Sequence, residues 1–343
     1  MGSSLITRRA LLRGGAALGA GWGLGRVLAS PVRAAGLTPF NITVTHYPDQ
    51  DYALPVVVAQ ELGYMAREGI EVKSIVGSSG GGTTVRNIAQ GGLLMGETAT
   101  SAAIKAILAG ENLRILAAGV QSPGTICWVV KKDSPIRTIR DLAGKRIGFT
   151  QPGSVSEALL HMCLAAAGVD TSTVQFKAAG GIGENLTLLD TNGLDCAFTV
   201  DPVLSRNANK LRVVFFAREY VPRYLQTVWI ASPDVVRTQR EKLAGFLRAR
   251  SRGVDVVIGS PKQAAEIFAK VTQQPLEWIY TTVVHEKPAE YFSHGRLDPK
   301  ALTLVVEGMR IGKLLGPEKV PLARIVDESA LPSGDRTPIP SEV

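Results

Sequence analysis

The sequence predicts an α/β protein of two similar lobes, each a mainly parallel sheet flanked by helices, with two strands crossing between them. Two observations carry this. Short apolar runs suited to strands alternate with stretches of helical period, and that layout restarts partway along the chain. Composition agrees: 343 residues, 45% hydrophobic and 20% charged, can build about two cores, and this is no disordered or collagen-like profile.

Residues 1–34 read as a leader. Thr7-Arg8-Arg9-Ala10-Leu11-Leu12-Arg13, a Gly/Ala-rich apolar stretch and Val32-Arg33-Ala34 supply its charged, apolar and small-residue parts. The paired arginines resemble the twin-arginine export signal, so cleavage is expected near Ala34, leaving 343 − 34 = 309 residues. A membrane span needs ~20 unbroken apolar residues; the run from Gly14 to Gly25 is short, rich in glycine and closed by Arg26. The leader also explains the charge. Five arginines and no acid lie within it, so its removal lowers the net charge from +8 to 33 − 30 = +3. That leaves no basic groove for a nucleic-acid partner.

From residue 36 the units follow in order. Ile42 and Val44 open a strand, and Leu54, Val57, Val58, Leu62 and Met65 recur at helix spacing. Strands are expected at Ile70–Val76, Leu93–Thr98 and Leu113–Val120, with helices at Thr83–Gln90 and Ala99–Ala109. The pattern then repeats: at an offset of 105, Ile42, Thr45, Ala53, Leu54 and Gly63 match Ile147, Thr150, Ala158, Leu159 and Gly168. At an offset of 101, Gly92, Leu93 and Thr98 match Gly193, Leu194 and Thr199. Thr125–Lys131 and Leu225–Ser232, carrying Trp128 and Trp229, read as the strands that cross out and back. Three helical faces follow, through Leu243, through Ile267 and through Leu302, and are expected to pack on the first lobe. Lobe 1 is therefore assigned to residues 36–123 plus 230–331, lobe 2 to 124–229, and a loose tail to 332–343, where Pro332, Pro338 and Pro340 fall.

Four stretches resemble a known family: Val58-Ala59-Gln60-Glu61-Leu62-Gly63-Tyr64 with Glu68-Gly69-Ile70-Glu71-Val72; Lys131-Lys132-Asp133-Ser134-Pro135-Ile136; Ile139-Arg140-Asp141-Leu142-Ala143-Gly144-Lys145-Arg146-Ile147; and Asp201-Pro202. The chain is similar to the periplasmic solute-binding proteins of ABC importers, in the branch serving nitrate, sulfonates, taurine and thiamine-precursor pyrimidines. Gly91-Gly92-Leu93 and Val200 depart from it, where the family often has an acidic and an aromatic residue. The resemblance implies the type II periplasmic binding protein fold, a hinged cleft closing over a small molecule, and delivery to a membrane permease with separate ATPase subunits. It implies a monomer in the periplasm with no cofactor. The alternatives are a receptor for an uncharged pyrimidine thiamine precursor, an enzyme on the same fold of pyrimidine-synthase or chorismate-dehydratase type, and a sensor domain.

In open α/β sheets ligands bind beyond the carboxyl ends of strands. That rule selects Tyr47; Ser78, Ser79 and Gly80; Thr98 and Thr100; Gln121; Thr150, Gly153, Ser154, Val155 and Ser156; Gly181; and Asp201. Hydroxyls, glycines and free amides of this kind suit a small oxyanion. Ser154-Val155-Ser156-Glu157 fits a capping box, in which the Ser154 hydroxyl bonds the Glu157 amide and the Glu157 carboxylate returns to the Ser154 amide. The Val155 and Ser156 amides stay free at the positive end of a helix dipole. Tyr47 either lies against the ligand or packs on the lobe surface; Asp201 either binds an ammonium group or caps the next helix. Gly77-Ser78-Ser79-Gly80-Gly81 fits the serine nucleophile pattern but follows only the second strand, with no earlier oxyanion loop. His46, His161, His285 and His294 lack metal-ligand spacing. Cys127, Cys163 and Cys196, each in an apolar run, read as buried thiols.

Overall fold

The computed structural model describes residues 37–343, so the paired arginines and the expected leader lie outside the described residues. The first half runs β1 (Thr38–Thr45), α1 (Leu54–Glu61), α2 (Tyr64–Arg67), β2 (Ile70–Ser78), α3 (Gly81–Ala89), β3 (Met95–Ala99), α4 (Thr100–Leu108) and β4 (Arg114–Ala118). The chain crosses into β5 (Cys127–Lys131), then β6 (Arg146–Phe149), α5 (Val155–Ala166), β7 (Gln175–Ala178), α6 (Ile182–Asp190), β8 (Ala197–Thr199), α7 (Val203–Arg206), β9 (Leu211–Phe216) and α8 (Ala217–Tyr220). It returns through β10 (Thr227–Ala231) to α9 (Pro233–Thr238), α10 (Arg240–Gly259), α11 (Pro261–Thr272), α12 (Leu276–Glu286), α13 (Pro288–Tyr291), α14 (Pro299–Ile311) and α15 (Leu322–Ile325).

The two sheets match strand for strand. The first has the order β2-β1-β3-β10-β4, parallel except for β10. In the second, β6 and β7 pair in parallel, and β5 lies antiparallel between β8 and β9. A parallel bridge from Ile147 to Cys196 joins β6 to the start of β8, so the running order is β7-β6-β8-β5-β9. The fourth strand of each is the crossing strand that reaches it from the other half. Residues matched by the sequence repeat occupy matched places: Ile42 and Ile147 are fully buried on β1 and β6, and Gly63 and Gly168 end their helical stretches in the left-handed region, at φ 73° and 68°. Trp128 and Trp229 are both fully buried.

Three expectations are corrected. The return to the first lobe, expected after residue 229, is complete before Thr227, because β10 pairs entirely in the first sheet. The C-terminal helices do not all cover that lobe: α10 and α11 pack on α1, whereas α14 lies on α4 and α5. Gly308 lets it approach, because a methyl there would meet the Met162 thioether. The proline-rich end is not loose. Val343 exchanges backbone hydrogen bonds with Val320 at 2.7 and 3.1 Å and accepts one from Arg310 at 3.0 Å. Prolines disfavour a helix there but leave extended backbone free to pair.

Candidate functional site

Between the halves lies a cavity of about 810 Å³. The first half lines it with the end of β1, the β2–α3 turn and α4; the second lines it with the β6–α5 and β7–α6 turns. Eight of the sequence-selected residues reach it: Ser79, Gly80, Thr150, Gly153, Ser154, Val155, Ser156 and Gly181.

The α5 turn is built as a donor cradle. Ser154 Oγ accepts the Glu157 amide at 3.2 Å, and Ser156 Oγ accepts the Thr150 amide at 2.9 Å. The other half of the capping box differs from expectation. Ser154 donates its amide to the Gln151 carbonyl at 3.0 Å, so the Glu157 carboxylate takes the amide of Gly153 at 2.6 Å instead, where φ is +83°. The Val155 and Ser156 amides have no acceptor among the described residues and stand at the positive end of a twelve-residue helix. Burial pushes the Glu157 carboxyl up, against the Gly153 amide and Lys105.

Sequence reasoning missed Lys105. It lies on α4, and its Nζ would sit 3.6 Å from a Cβ built on Gly153. Ser101, one turn earlier, donates its hydroxyl to the Gly153 carbonyl at 3.1 Å. One helix of the first half thus clasps the β6–α5 turn of the second. Lys105 makes no ion pair among the described residues. Arg86 also stands on the wall, its guanidinium on the Thr83 hydroxyl at 3.0 Å; Glu111 and Glu184 stand there too.

The other six selected residues do not line the cavity. His46 takes a left-handed φ of 59°, which leaves His46 on the wall and sends the Tyr47 ring against Phe268, with centroids 6.4 Å apart. Burial holds the His46 imidazole below its ordinary pKa, opposed by Asp49. Ser78 bonds the Thr84 hydroxyl at 2.6 Å, and Thr98 donates to the Gly81 carbonyl at 3.0 Å. Thr100 is buried with its hydroxyl unpartnered, and Gln121 donates its backbone N–H to the Tyr291 carbonyl at 2.8 Å. Asp201 caps α7 by accepting the Ser205 amide at 3.0 Å and its hydroxyl at 2.6 Å, while its second oxygen meets His285 Nδ1 at 3.0 Å.

The remaining motifs resolve simply. Ser79 has the Thr83 hydroxyl at 3.5 Å and no hydrogen bond to a histidine among the described residues. Among those residues no three His, Cys, Asp or Glu converge to hold a metal, and no helix is long and apolar enough to cross a membrane. The three cysteines are buried free thiols; burial pushes Cys163 up to about 12.

A profile described as NMT1/THI5 like matches residues 50–264, more than half of the chain. The chain belongs to the NMT1/THI5-like family. The 4-amino-5-hydroxymethyl-2-methylpyrimidine phosphate synthase of Legionella pneumophila is 23% identical over 247 residues, covering 68% of this NMT1/THI5-like chain and 73% of the relative. The alkanesulfonate-binding protein SsuA from Xanthomonas axonopodis pv. citri bound to MOPS superposes with a TM-score of 0.69 at 17% identity, covering 89% of this chain and all of that one. The periplasmic aliphatic sulphonate binding protein SsuA from Escherichia coli gives 0.67 at 19%, covering 85% and 92%. These neighbours establish the two-lobed periplasmic-binding-protein fold expected from the sequence.

One buried acid on β3 lies just behind the cavity wall. Glu97 is fully buried, accepts the Thr227 hydroxyl at 2.6 Å and has a second oxygen without a partner. Burial pushes it up to about 7, against the pull of Arg250. The native state therefore holds this proton more tightly than the unfolded chain does, where the pKa is about 4.5. The associated stability is fully present below that value and lost as pH rises through 7. Glu97→Gln is expected to remove a fall on the order of 3 kcal/mol between pH 4 and 8. Urea unfolding of both proteins at the two pH values checks it; parallel profiles would place the titration elsewhere.

Proposed function

We propose that the chain is the extracytoplasmic substrate-binding receptor of an ABC import system, capturing a small organic or inorganic anion of sulfonate, nitrate or carboxylate type. The permease and separate ATPase subunits take the ligand onward, and the twin-arginine leader delivers the receptor to the periplasm. One observation carries the reading: the unpartnered α5 amides of the second half and Lys105 of the first face one cavity. An oxyanion between them satisfies both and favours closure, because each half then gains an interaction that the open form lacks. The sulfonate-binding proteins among the structural neighbours support the same class. The site groups are Ser79, Gly80, Thr150, Gly153, Ser154, Val155, Ser156 and Gly181, with Lys105 added.

A second reading, a pyrimidine-handling receptor or enzyme, is favoured by the name of the Legionella relative. Calorimetry and thermal unfolding with alkanesulfonates, nitrate, carboxylates and an aminopyrimidine separate the two. A fitting anion at a hundred times its dissociation constant stabilises the fold by ~2.7 kcal/mol. It is expected to compact the protein in solution scattering and to be recovered unchanged. Lys105→Gln is expected to weaken it roughly tenfold. Turnover of the recovered compound would establish an enzyme; binding of the pyrimidine alone would remove the anion.

A further inference from the structure

The two halves meet a second time along α7 and α12, away from the α5 turn. Where the chain crosses between them, the Thr125 hydroxyl accepts the Asp201 backbone N–H at 3.2 Å and donates to the Glu286 carboxyl at 3.4 Å. Helix α12 itself is anchored to the first half. Its Glu286 shares a hydrogen bond with Asp51 in the turn before α1, and Gln274, just ahead of the helix, donates to the Pro48 carbonyl at 2.6 Å.

The two helices run in opposite directions along this seam. Asp201, ahead of α7, meets His285 Nδ1 at 3.0 Å, whereas Arg206 at the far end of α7 covers Trp278, its guanidinium carbon 3.8 Å from the ring centroid. Two helical turns separate Trp278 from His285, which places the Arg206 contact about 10 Å farther along α12 from the crossing segment than the Asp201–His285 pair. An outer contact moves most when two hinged bodies rotate. The first half supplies the whole seat: beside Trp278, Asp49 is close enough for its charge to act on the guanidinium. In sequence Asp49 lies between His46 and Gln50, both on the main cavity wall.

Among the described residues Arg206 makes no salt bridge and no side-chain hydrogen bond, so its hold on the first half is one aromatic face and one charge at longer range. A cation so placed favours the joined form by roughly three- to tenfold. That is enough to bias closure and little enough to release. We propose that Arg206 is the closure latch of the cleft, a positioning residue that reaches from the second half onto Trp278 and Asp49 of the first and sets how long a captured anion stays. Arg206 does not line the cavity and acts through the closed population, which it raises whether the cavity is filled or empty. Its effect on an anion rests on the receptor reading; its effect on closure does not.

Two arms on the whole chain test this. Without any anion, solution scattering is expected to show a larger radius of gyration for Arg206→Ala than for the parent, with Arg206→Lys between them because it keeps a cation for the ring. With ethanesulfonate and nitrate as probes, Arg206→Ala is expected to release whichever binds roughly three- to tenfold faster, with association within twofold of the parent. Trp278→Ala is expected to copy it, and the double variant to be no worse than either single one, since both remove the same contact. If Trp278→Ala does not fold, the two Arg206 variants decide. If neither anion binds, the receptor reading loses support and scattering alone decides the latch. An unchanged radius of gyration with unchanged release overturns the proposal. So does a loss of urea stability in Arg206→Ala without a change in either, which would make the contact a static brace.

Discussion

Gly253→Ala is expected to destabilise the protein by about 3 kcal/mol, although alanine is the better helix former by ~1 kcal/mol. Gly253 lies within α10 where that helix crosses α1. A methyl there would run into the Pro55 carbonyl, 2.9 Å from its carbon, with the Ala59 Cβ at 3.3 Å. The obstacle is backbone, and α1 cannot retreat because its other side is packed into the core beside β1. Overpacking of this kind costs ~1–3 kcal/mol or more, so steric exclusion outweighs propensity and sets the sign. Gly259→Ala is the control. It lies on the same helix with nothing within 4 Å of the added methyl, and is expected to be neutral or to gain a few tenths of a kcal/mol. Urea unfolding of both variants checks the pair; a Gly253→Ala protein as stable as its parent would mean that the α1–α10 crossing is looser than described.

How far the sequence reveals this arrangement depends on the range of the interaction. Apolar patterning locates β1 to β4 and α3 to α5 because the strands include runs buried on both faces and the helices bury apolar residues at helical spacing, and burial is a local constraint on residue type. The repeat is visible where geometry admits few residues, as at Gly63 and Gly168, whose left-handed backbone favours glycine. The Ser154 cap is legible because its partner lies three residues on. What the sequence hides depends on the path of the chain. The left-handed backbone at His46 decides that His46 rather than Tyr47 faces the cavity, and although histidine is among the residues that tolerate it, no pattern in the sequence requires it there. Lys105 reaches the cavity from the middle of a helix by virtue of its long side chain, so a rule confined to strand ends passes over it. Asp51 and Glu286 meet only because α12 folds back beside the start of α1, through contacts with α11. Val343 finds Val320 by backbone hydrogen bonds, which leave no mark on side-chain identity.

Ser154→Asp is expected to lower affinity for the captured anion by roughly tenfold to a thousandfold while leaving the unliganded fold nearly unchanged. Aspartate caps a helix as well as serine and suits the dipole, and Lys105 stands close enough to the turn to offset part of the new charge. The nearest resident acid, Glu157, is held toward its neutral form by burial, which limits the repulsion within the turn. An oxyanion on the Val155 and Ser156 amides would lie within a few ångströms of the introduced carboxylate. Like charges at ~4 Å repel by ~1 kcal/mol in water and ~4 kcal/mol at an effective dielectric of 20, and a closed cleft lies between these limits. Ser154→Ala separates cap from charge: it removes the hydroxyl that holds the Glu157 amide, costing ~1 kcal/mol of helix stability, and adds no repulsion. Calorimetric titration of the identified ligand into both variants, beside their unliganded melting curves, gives the comparison. An aspartate variant that folds normally and binds within about twofold of its parent, well under 1 kcal/mol, would move the anion away from α5 and put the uncharged pyrimidine first.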